Sequence, residues 1–116
     1  MVLRFMINPK DKRHIEYMLI SINRLLECKE KYSVDEAAND YMVFDVILME
    51  FENLANYSLR LSEETIRFYP EISINELRAI RNRIAHDYLS VQIKTLYDTM
   101  EQDFPKLKTK LEELIK

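Results

Sequence analysis

No glycine occurs anywhere in the 116-residue sequence, and this absence restricts the folds that the chain can adopt. Glycine supplies the positive backbone angles of tight hairpin turns and of many helix C-caps. It also lets the backbone N–H groups of Walker-type and dinucleotide-binding loops approach a phosphate closely. The chain is therefore expected to form helices joined by short polar links. Any phosphate that it binds should be held by side chains, chiefly by arginine.

The composition is that of an ordinary globular domain, with 47% hydrophobic and 32% charged residues. This length suits one hydrophobic core, so we expect residues 1–116 to form a single domain. No apolar run approaches the roughly 18 residues of a membrane span, and the first 14 residues lack the apolar segment of a secretory signal. Cys28 is the only cysteine, so no intrachain disulfide can form, which fits a cytoplasmic protein. The net charge of −3 means that a nucleic-acid site would have to be a local basic cluster.

Apolar residues recur at helical spacing and predict an all-α, up-and-down bundle of about five helices. The first two predicted helices cover residues 9–31 and 34–68, with a kink or restart plausible near Ser62. The third begins at Ser73 and leads into residues 81–88. The last two cover residues 90–103 and 106–116, with Pro105 in the first turn of the fifth helix. The sequences "SVDE" and "SINE" are predicted capping boxes that open the second and third helices.

The stretch "RNRIAHDY", residues 81–88, gathers polar side chains at the end of the third predicted helix. Asn82 and His86 are four residues apart and share a helix face, so the amide could orient the imidazole. Arg81 and His86 are separated by about 140° around the helix and about 7.5 Å along it, a gap that a long arginine side chain can narrow. Together these residues could hold an anion beside an imidazole.

This combination of side chains suits the cleavage of RNA by its own 2′-hydroxyl. That reaction needs a proton acceptor, a proton donor and a cation beside the phosphate, which imidazole and guanidinium groups can provide. Asp35, Glu36 and Asp40 have no histidine or cysteine at ligand spacing, so neither a metal nor a cofactor is expected. The other histidine, His14, is predicted to be solvated and remote. A two-fold homodimer would bring two copies of His86 together and supply both proton carriers.

The same residues also have a purely structural interpretation. Histidine and arginine near a helix C-terminus interact favourably with the helix dipole. Tyr88 could simply pack against a neighbouring helix. Spacing alone does not decide between a solvated helix end and a phosphate site.

The stretch "RNRIAHDY" resembles the Arg-x4-His motif of HEPN domains, in the His-x-Tyr variant of the HepT-like toxins of prokaryotic toxin–antitoxin modules. The "PEI" segment before the motif helix is also similar, and the resemblance extends over residues 10–115. It implies a HEPN-like helical bundle. It further implies that Arg81 and His86 are catalytic residues of a metal-independent endoribonuclease that works as a homodimer, with Asn82 as the polar residue following the arginine.

The resemblance also implies that Tyr88 is a modification site. In such modules an antitoxin with a minimal nucleotidyltransferase fold attaches AMP to this tyrosine and silences the toxin, since a bulky anion beside the arginine would repel the RNA phosphate. Glu52 and Asn53 stand where the family often has a Gly-Glu pair, and neither is assigned a role. The alternative function is that of a non-catalytic helical partner subunit, which docks a nucleotidyltransferase and binds nucleotide.

Overall fold

The computed structural model describes residues 6–116, which contain six α-helices, two 3₁₀ turns and no β-strand. The prediction of an all-α fold is confirmed. Residues 1–5, on which part of the signal-sequence prediction depends, lie outside the described residues. None of the helices between residues 6 and 116 combines the length and apolar character needed to cross a membrane. The helices are α1 (Pro9–Lys31), α2 (Val34–Asn39), α3 (Tyr41–Ser58), α4 (Glu63–Phe68), α5 (Ile74–His86) and α6 (Ile93–Leu114), and the 3₁₀ turns are Pro70–Ile72 and Tyr88–Ser90.

One hydrophobic core joins these helices. Helix α1 packs against α3 and α6, while α3 also packs against α5. Near its centre, the rings of Phe51 on α3 and Phe104 on α6 lie 5.6 Å apart. Burial of such side chains, at about 25 cal/mol per Å² of apolar surface, is the main stabilising contribution. The core fixes one face of α5 and leaves its C-terminal end at the surface.

The predicted helix over residues 34–68 is wrong in its continuity, because the structure divides this segment into α2, α3 and α4. The first break is at Asp40, whose carboxylate accepts hydrogen bonds from the backbone N–H groups of Met42 and Val43 and so starts α3. The second break agrees with the restart considered near Ser62. The Ser62 hydroxyl oxygen caps α4 by accepting a bond from the Thr65 N–H group. Side-chain caps satisfy helix N–H groups that have no intrahelical partner, so a polar residue can restart a helix inside an apolar pattern.

The two predicted capping boxes have different outcomes. The Ser33–Glu36 box is confirmed, with both of its reciprocal hydrogen bonds formed. The Ser73 box is wrong, because Ser73 has a left-handed backbone (φ 59°, ψ 48°) and makes no side-chain cap. Its hydroxyl instead donates to the Glu71 carbonyl. The preceding 3₁₀ turn leads into α5 through this left-handed conformation of Ser73. The serine side chain is thereby directed away from the free N–H groups at the start of α5.

The last two predicted helices are one continuous helix, α6, with Pro105 in its interior. Proline removes one ladder hydrogen bond and usually breaks a helix at a cost of about 3 kcal/mol. Here Pro105 lies on the exposed side, whereas Phe104, Leu107 and Leu111 on either side of the expected break are buried. Packing of these residues on the core maintains the helix across the proline.

A buried polar cluster fastens the start of α1 to the start of α4. Asp11 is 2% exposed, and its carboxylate accepts bonds from the Ser62 N–H group and from the Ser62 and Thr65 hydroxyls, the two hydroxyl contacts being 2.6 Å each. Burial by itself would raise the pKa of Asp11, but these hydrogen bonds outweigh it and lower the pKa below its ordinary value. We call the group formed by Asp11, Ser62 and Thr65 the Asp11 junction.

His14, one turn after Asp11, differs from its prediction as a solvated residue. Both of its ring nitrogens are buried and have no hydrogen-bond partner among the described residues. The ring stacks near that of Tyr57, with 6.5 Å between centroids. The first turn of α1 is covered by the end of α3, and this long-range packing is not visible in the local charge pattern.

Candidate functional site

Helix α5 places the polar stretch of residues 81–88 at the protein surface. Ile74, Leu77 and Ile84 are buried and anchor one face of the helix. The helix stays regular as far as His86 and ends at Asp87, whose N–H group donates to the Arg83 carbonyl over 3.0 Å. A 3₁₀ turn over Tyr88–Ser90 then redirects the chain toward α6. We call residues 81–88 the motif end of α5.

Arg81 and Asn82 are connected directly. The Arg81 Nη2 group donates to the Asn82 side-chain oxygen over 3.2 Å. Among the described residues, no hydrogen bond joins Asn82 to His86, although the two lie on one helix face as expected. The Asn82 amide therefore restrains the guanidinium in this structure and not the imidazole.

His86 is exposed in the last turn of α5. Because the helix is regular over this stretch, Arg81 and His86 keep the separation of about 140° around the axis that five residues produce. A looser helix end would bring the two side chains together, but α5 remains helical through His86. A single chain therefore presents the guanidinium and the imidazole on different sides of the helix.

The arginines of α5 form no ion pair with any carboxylate in the described part of the chain. No ion pair involves Arg78, Arg81 or Arg83 within residues 6–116, whereas elsewhere ion pairs hold Lys31, Lys94 and other cations. Arg78 and Arg83 are exposed, and Arg81 is half-buried. A guanidinium without an ion pair can donate several hydrogen bonds to a phosphate or carboxylate. Together these arginines concentrate positive charge on α5, in a chain whose net charge is −3.

Tyr88 is fixed to α3 by a contact that the sequence did not suggest. Its hydroxyl donates a hydrogen bond to the carboxylate of Asp45, and its ring meets that of Phe44 edge-on with 5.7 Å between centroids. The side chain remains 39% exposed. Partial desolvation and the adjacent Asp45 carboxylate raise the pKa of Tyr88 to about 12, since both disfavour a negative phenolate.

Glu50 and Asn53, two further polar residues of α3, form a pair that accounts for Asn53, which the sequence leaves without a role. Glu50 is buried, and its carboxylate accepts a hydrogen bond from the Asn53 amide and pairs with Arg24 at 3.5 Å. Asn53 thus supports a buried carboxylate, while Glu52 is half-buried. Neither Asp45 nor Glu50 was singled out, because their partners lie on other turns or other helices. The one available signal was an acidic residue inside each apolar run, "VFDVIL" and "LMEFE".

A groove lies apart from the motif residues Arg81, His86 and Tyr88. It has a volume of about 960 Å³, lies between the start of α5 and the second half of α6, and includes neither Arg81 nor His86 nor Tyr88. No group of three histidine, cysteine or acidic residues lies within metal-binding range in the described part of the chain. The motif end of α5 is therefore an open, arginine-bearing surface. Fold and site together define a helical bundle that carries arginines and an exposed histidine at one helix end.

Comparison with known proteins specifies the family. A family model described as Ribonuclease HepT-like matches residues 18–114, and the chain therefore belongs to the HepT-like ribonuclease family. It is 26% identical over 109 residues to "Probable ribonuclease HepT" of Thermococcus cleftensis, covering 90% of this chain and 98% of that protein. It is 22% identical over 109 residues to "Putative RNase MJ0125" of Methanocaldococcus jannaschii, covering 90% of this chain and 94% of that protein. No solved structure gives a significant match.

Proposed function

We propose that the chain is the toxin subunit of a toxin–antitoxin module, a metal-independent endoribonuclease that acts in the cytoplasm as a homodimer. A minimal nucleotidyltransferase antitoxin silences it by adding AMP to Tyr88. The observation that carries the proposal is the motif end of α5, where an exposed imidazole and guanidiniums without ion pairs in the described structure lie within one helix end, in a member of a ribonuclease family.

The chemistry assigned to this surface is attack of an RNA 2′-hydroxyl on the adjacent phosphorus. A 2′-O–P bond forms, the 5′-O–P bond breaks, and the departing 5′-oxygen takes up a proton. His86 carries protons in this scheme, since an imidazole can accept and release them near neutral pH. Arg81 stabilises the negative charge that accumulates on the phosphate oxygens. Asn82 positions Arg81, which modifies its expected role as a support for the imidazole.

A homodimer is proposed because one chain has too few accessible proton carriers for the reaction. The chain has two histidines, and the ring nitrogens of His14 are buried. One chain therefore offers one accessible imidazole, whereas the reaction needs both an acceptor and a donor. A two-fold axis near the motif end of α5 would supply the second His86. It would also allow the Arg81 of one subunit to approach the His86 of the other, which the regular helix prevents within one chain.

Tyr88 is suitably placed to control this surface. It follows His86 by two residues, and its hydroxyl lies at the surface on α3. An attached AMP would bring a negative phosphodiester beside the arginines that RNA requires. Occupancy and charge repulsion would then both reduce RNA binding.

The catalytic assignment can be tested with purified wild-type protein and the variants His86→Ala and Arg81→Ala, using single-stranded RNA in the presence of EDTA. We expect cleavage by wild type and a loss of at least about 10²-fold in each variant. Arg67→Ala, which removes an exposed arginine from the end of α4, is the matched control and should cleave normally. Equal cleavage by wild type and His86→Ala would reject the assignment. A chain that binds a nucleotidyltransferase but never cleaves RNA would be the non-catalytic partner subunit.

The regulatory assignment has a separate test. Intact-mass measurement of the chain after incubation with ATP and its nucleotidyltransferase partner should show increments of AMP. The variant Tyr88→Phe should show none, because it lacks the acceptor oxygen. Modification of Tyr88→Phe to the same extent as wild type would exclude Tyr88 as the acceptor.

A further inference from the structure

The hydrogen bond between Tyr88 and Asp45 connects residues that are 43 positions apart in the sequence. Asp45 lies on the exposed side of α3, in the turn that follows the Asp40 cap. Its neighbour Phe44 contacts the Tyr88 ring and fixes the direction of the phenol. The hydroxyl therefore points at a carboxylate oxygen while the side chain stays accessible to a reagent arriving from solvent.

We propose that Asp45 is the proton acceptor when the Tyr88 hydroxyl attacks a nucleotide phosphate. The inference depends on the role of Tyr88 as AMP acceptor given under Proposed function, and it adds the residue of this chain that makes the hydroxyl reactive. In the step, the Tyr88 oxygen forms a bond to the α-phosphorus of ATP. The bond from that phosphorus to the bridging oxygen of the β-phosphate breaks, pyrophosphate leaves, and the phenolic proton passes to Asp45 and then to water.

The electrostatics of the site favour transfer of the proton during attack, not before it. With a pKa of about 12, only about one Tyr88 in 10⁵ is ionised at pH 7. Asp45 contributes to this shift and so suppresses a pre-formed phenolate. The same carboxylate can accept the proton as the O–P bond forms, which is how a positioned general base acts.

The two roles that Asp45 could have predict opposite effects of Asp45→Asn. This variant keeps a side-chain oxygen that can accept the Tyr88 hydrogen bond, but it cannot take the proton. If Asp45 is the base, reaction at Tyr88 becomes slower. If Asp45 merely holds the ring and restrains ionisation, its removal lowers the pKa of Tyr88, and the reaction keeps its rate or becomes faster.

The first experiment measures AMP transfer from ATP by the nucleotidyltransferase partner to wild type, Asp45→Asn and the control Asp103→Asn. Asp103 is an exposed carboxylate of α6, beside the distant groove. We expect Asp45→Asn to be modified at least about 10²-fold more slowly than wild type and Asp103→Asn to match wild type. Equal or faster modification of Asp45→Asn overturns the inference. If wild type takes up no AMP, it is the proposed function of Tyr88 that fails.

The second experiment needs no partner and tests the base directly. Benzenesulfonyl fluoride reacts with tyrosine hydroxyls, forming an S–O bond, releasing fluoride and giving up the phenolic proton. Labelling at Tyr88 is followed by peptide mass spectrometry, with Tyr41, 73% exposed on the same helix, as the internal reference. We expect Asp45→Asn to reduce labelling of Tyr88 at pH 7 and to leave Tyr41 unchanged.

The pH profile of this labelling separates a base from a structural support. In wild type the rate at Tyr88 should change little between about pH 6 and 9, because the phenolic proton passes to Asp45 and not to hydroxide. In Asp45→Asn it should rise about tenfold per pH unit as phenolate forms. Parallel profiles for the two proteins, or faster labelling of Asp45→Asn at pH 7, would contradict the inference.

Discussion

The Asp11 junction and the motif end of α5 use polar side chains in opposite ways. At the junction, a buried carboxylate has hydrogen bonds from Ser62 and Thr65, and its donors are committed to holding α1 against α4. At the motif end, Arg83 is exposed without an ion pair in the described structure, and His86 is exposed as well. Buried polar groups must be satisfied internally, whereas solvated ones can remain available to a ligand at little cost in stability. The difference separates groups that maintain the fold from groups that can act on another molecule.

The largest expected effect tests the motif end. His86→Ala should reduce RNA cleavage by about 10³-fold, because it removes the proton carrier. Its free energy of unfolding should stay within about 0.5 kcal/mol of wild type, as for other solvated positions. Cleavage assays and urea unfolding on the same preparation measure both quantities. If His86→Ala lost several kcal/mol of stability together with its activity, His86 would be a structural residue. The motif end would then not differ from the Asp11 junction.

Asp11→Asn should show the opposite behaviour. It weakens charge-assisted hydrogen bonds that each contribute about 1.5–3 kcal/mol, so we expect a loss of about 2 kcal/mol in the free energy of unfolding. RNA cleavage per folded molecule should be unchanged. Asp35→Asn, at an exposed position on α2, is the control for the loss of one negative charge. A cleavage defect in folded Asp11→Asn would show that the two regions are coupled.

The pH dependence of stability sharpens the same contrast. The pKa of Asp11 is lowered from its ordinary value of 3.8, so its contribution is fully present above that value and is lost as the pH falls through the folded-state pKa. Wild type should therefore lose more stability than Asp11→Asn between about pH 4 and pH 2. Denaturant unfolding at a series of acidic pH values measures this. Identical slopes for the two proteins would mean that the junction does not hold a charged carboxylate.

The smallest effect concerns the start of α5, far along the helix from its motif end. Ser73 has a left-handed backbone angle, which costs a non-glycine residue about 1–2 kcal/mol. Ser73→Gly should raise the free energy of unfolding by up to about 1 kcal/mol, because the relief of strain is partly offset by greater freedom of the unfolded chain. Cleavage should not change. Ser90→Gly, at a position with negative backbone angles, is the control and should not stabilise the protein.

Much of this architecture could be predicted from local patterns, and the errors have a common cause. The first helix was placed at residues 9–31, as observed, because its apolar spacing and its polar ends agree. The caps at Ser33 and Ser62 are also local features. The interior Pro105 and the left-handed Ser73 depend on what packs around them, so propensity alone gave a helix break and a capping box that do not form. His14 was misplaced for the same reason.

For the site, the sequence indicated residues 81–88, but not their partners. Helical spacing predicts that Asn82 holds His86, but its amide oxygen accepts a hydrogen bond from the adjacent Arg81, because side-chain conformation and not spacing decides the partner. The contact between Asp45 and Tyr88 could not be predicted, because no local pattern in "VFDVIL" indicates a partner 43 residues later. Contacts between helices depend on their packing angles and offsets, which a periodic pattern does not specify.

The sequence by itself determined that this protein is helical, that it lacks glycine phosphate loops and that two arginines and a histidine collect in residues 81–88. Residue identity and spacing along a single helix are local properties, so they can be read from the chain directly. The tertiary structure alone decided that the ring nitrogens of His14 are buried, that α6 continues through Pro105 and that the Tyr88 hydroxyl is held by Asp45. Each of these results from helices packing against one another, because the free energy of burial depends on which surfaces meet in space and not on their order in the chain.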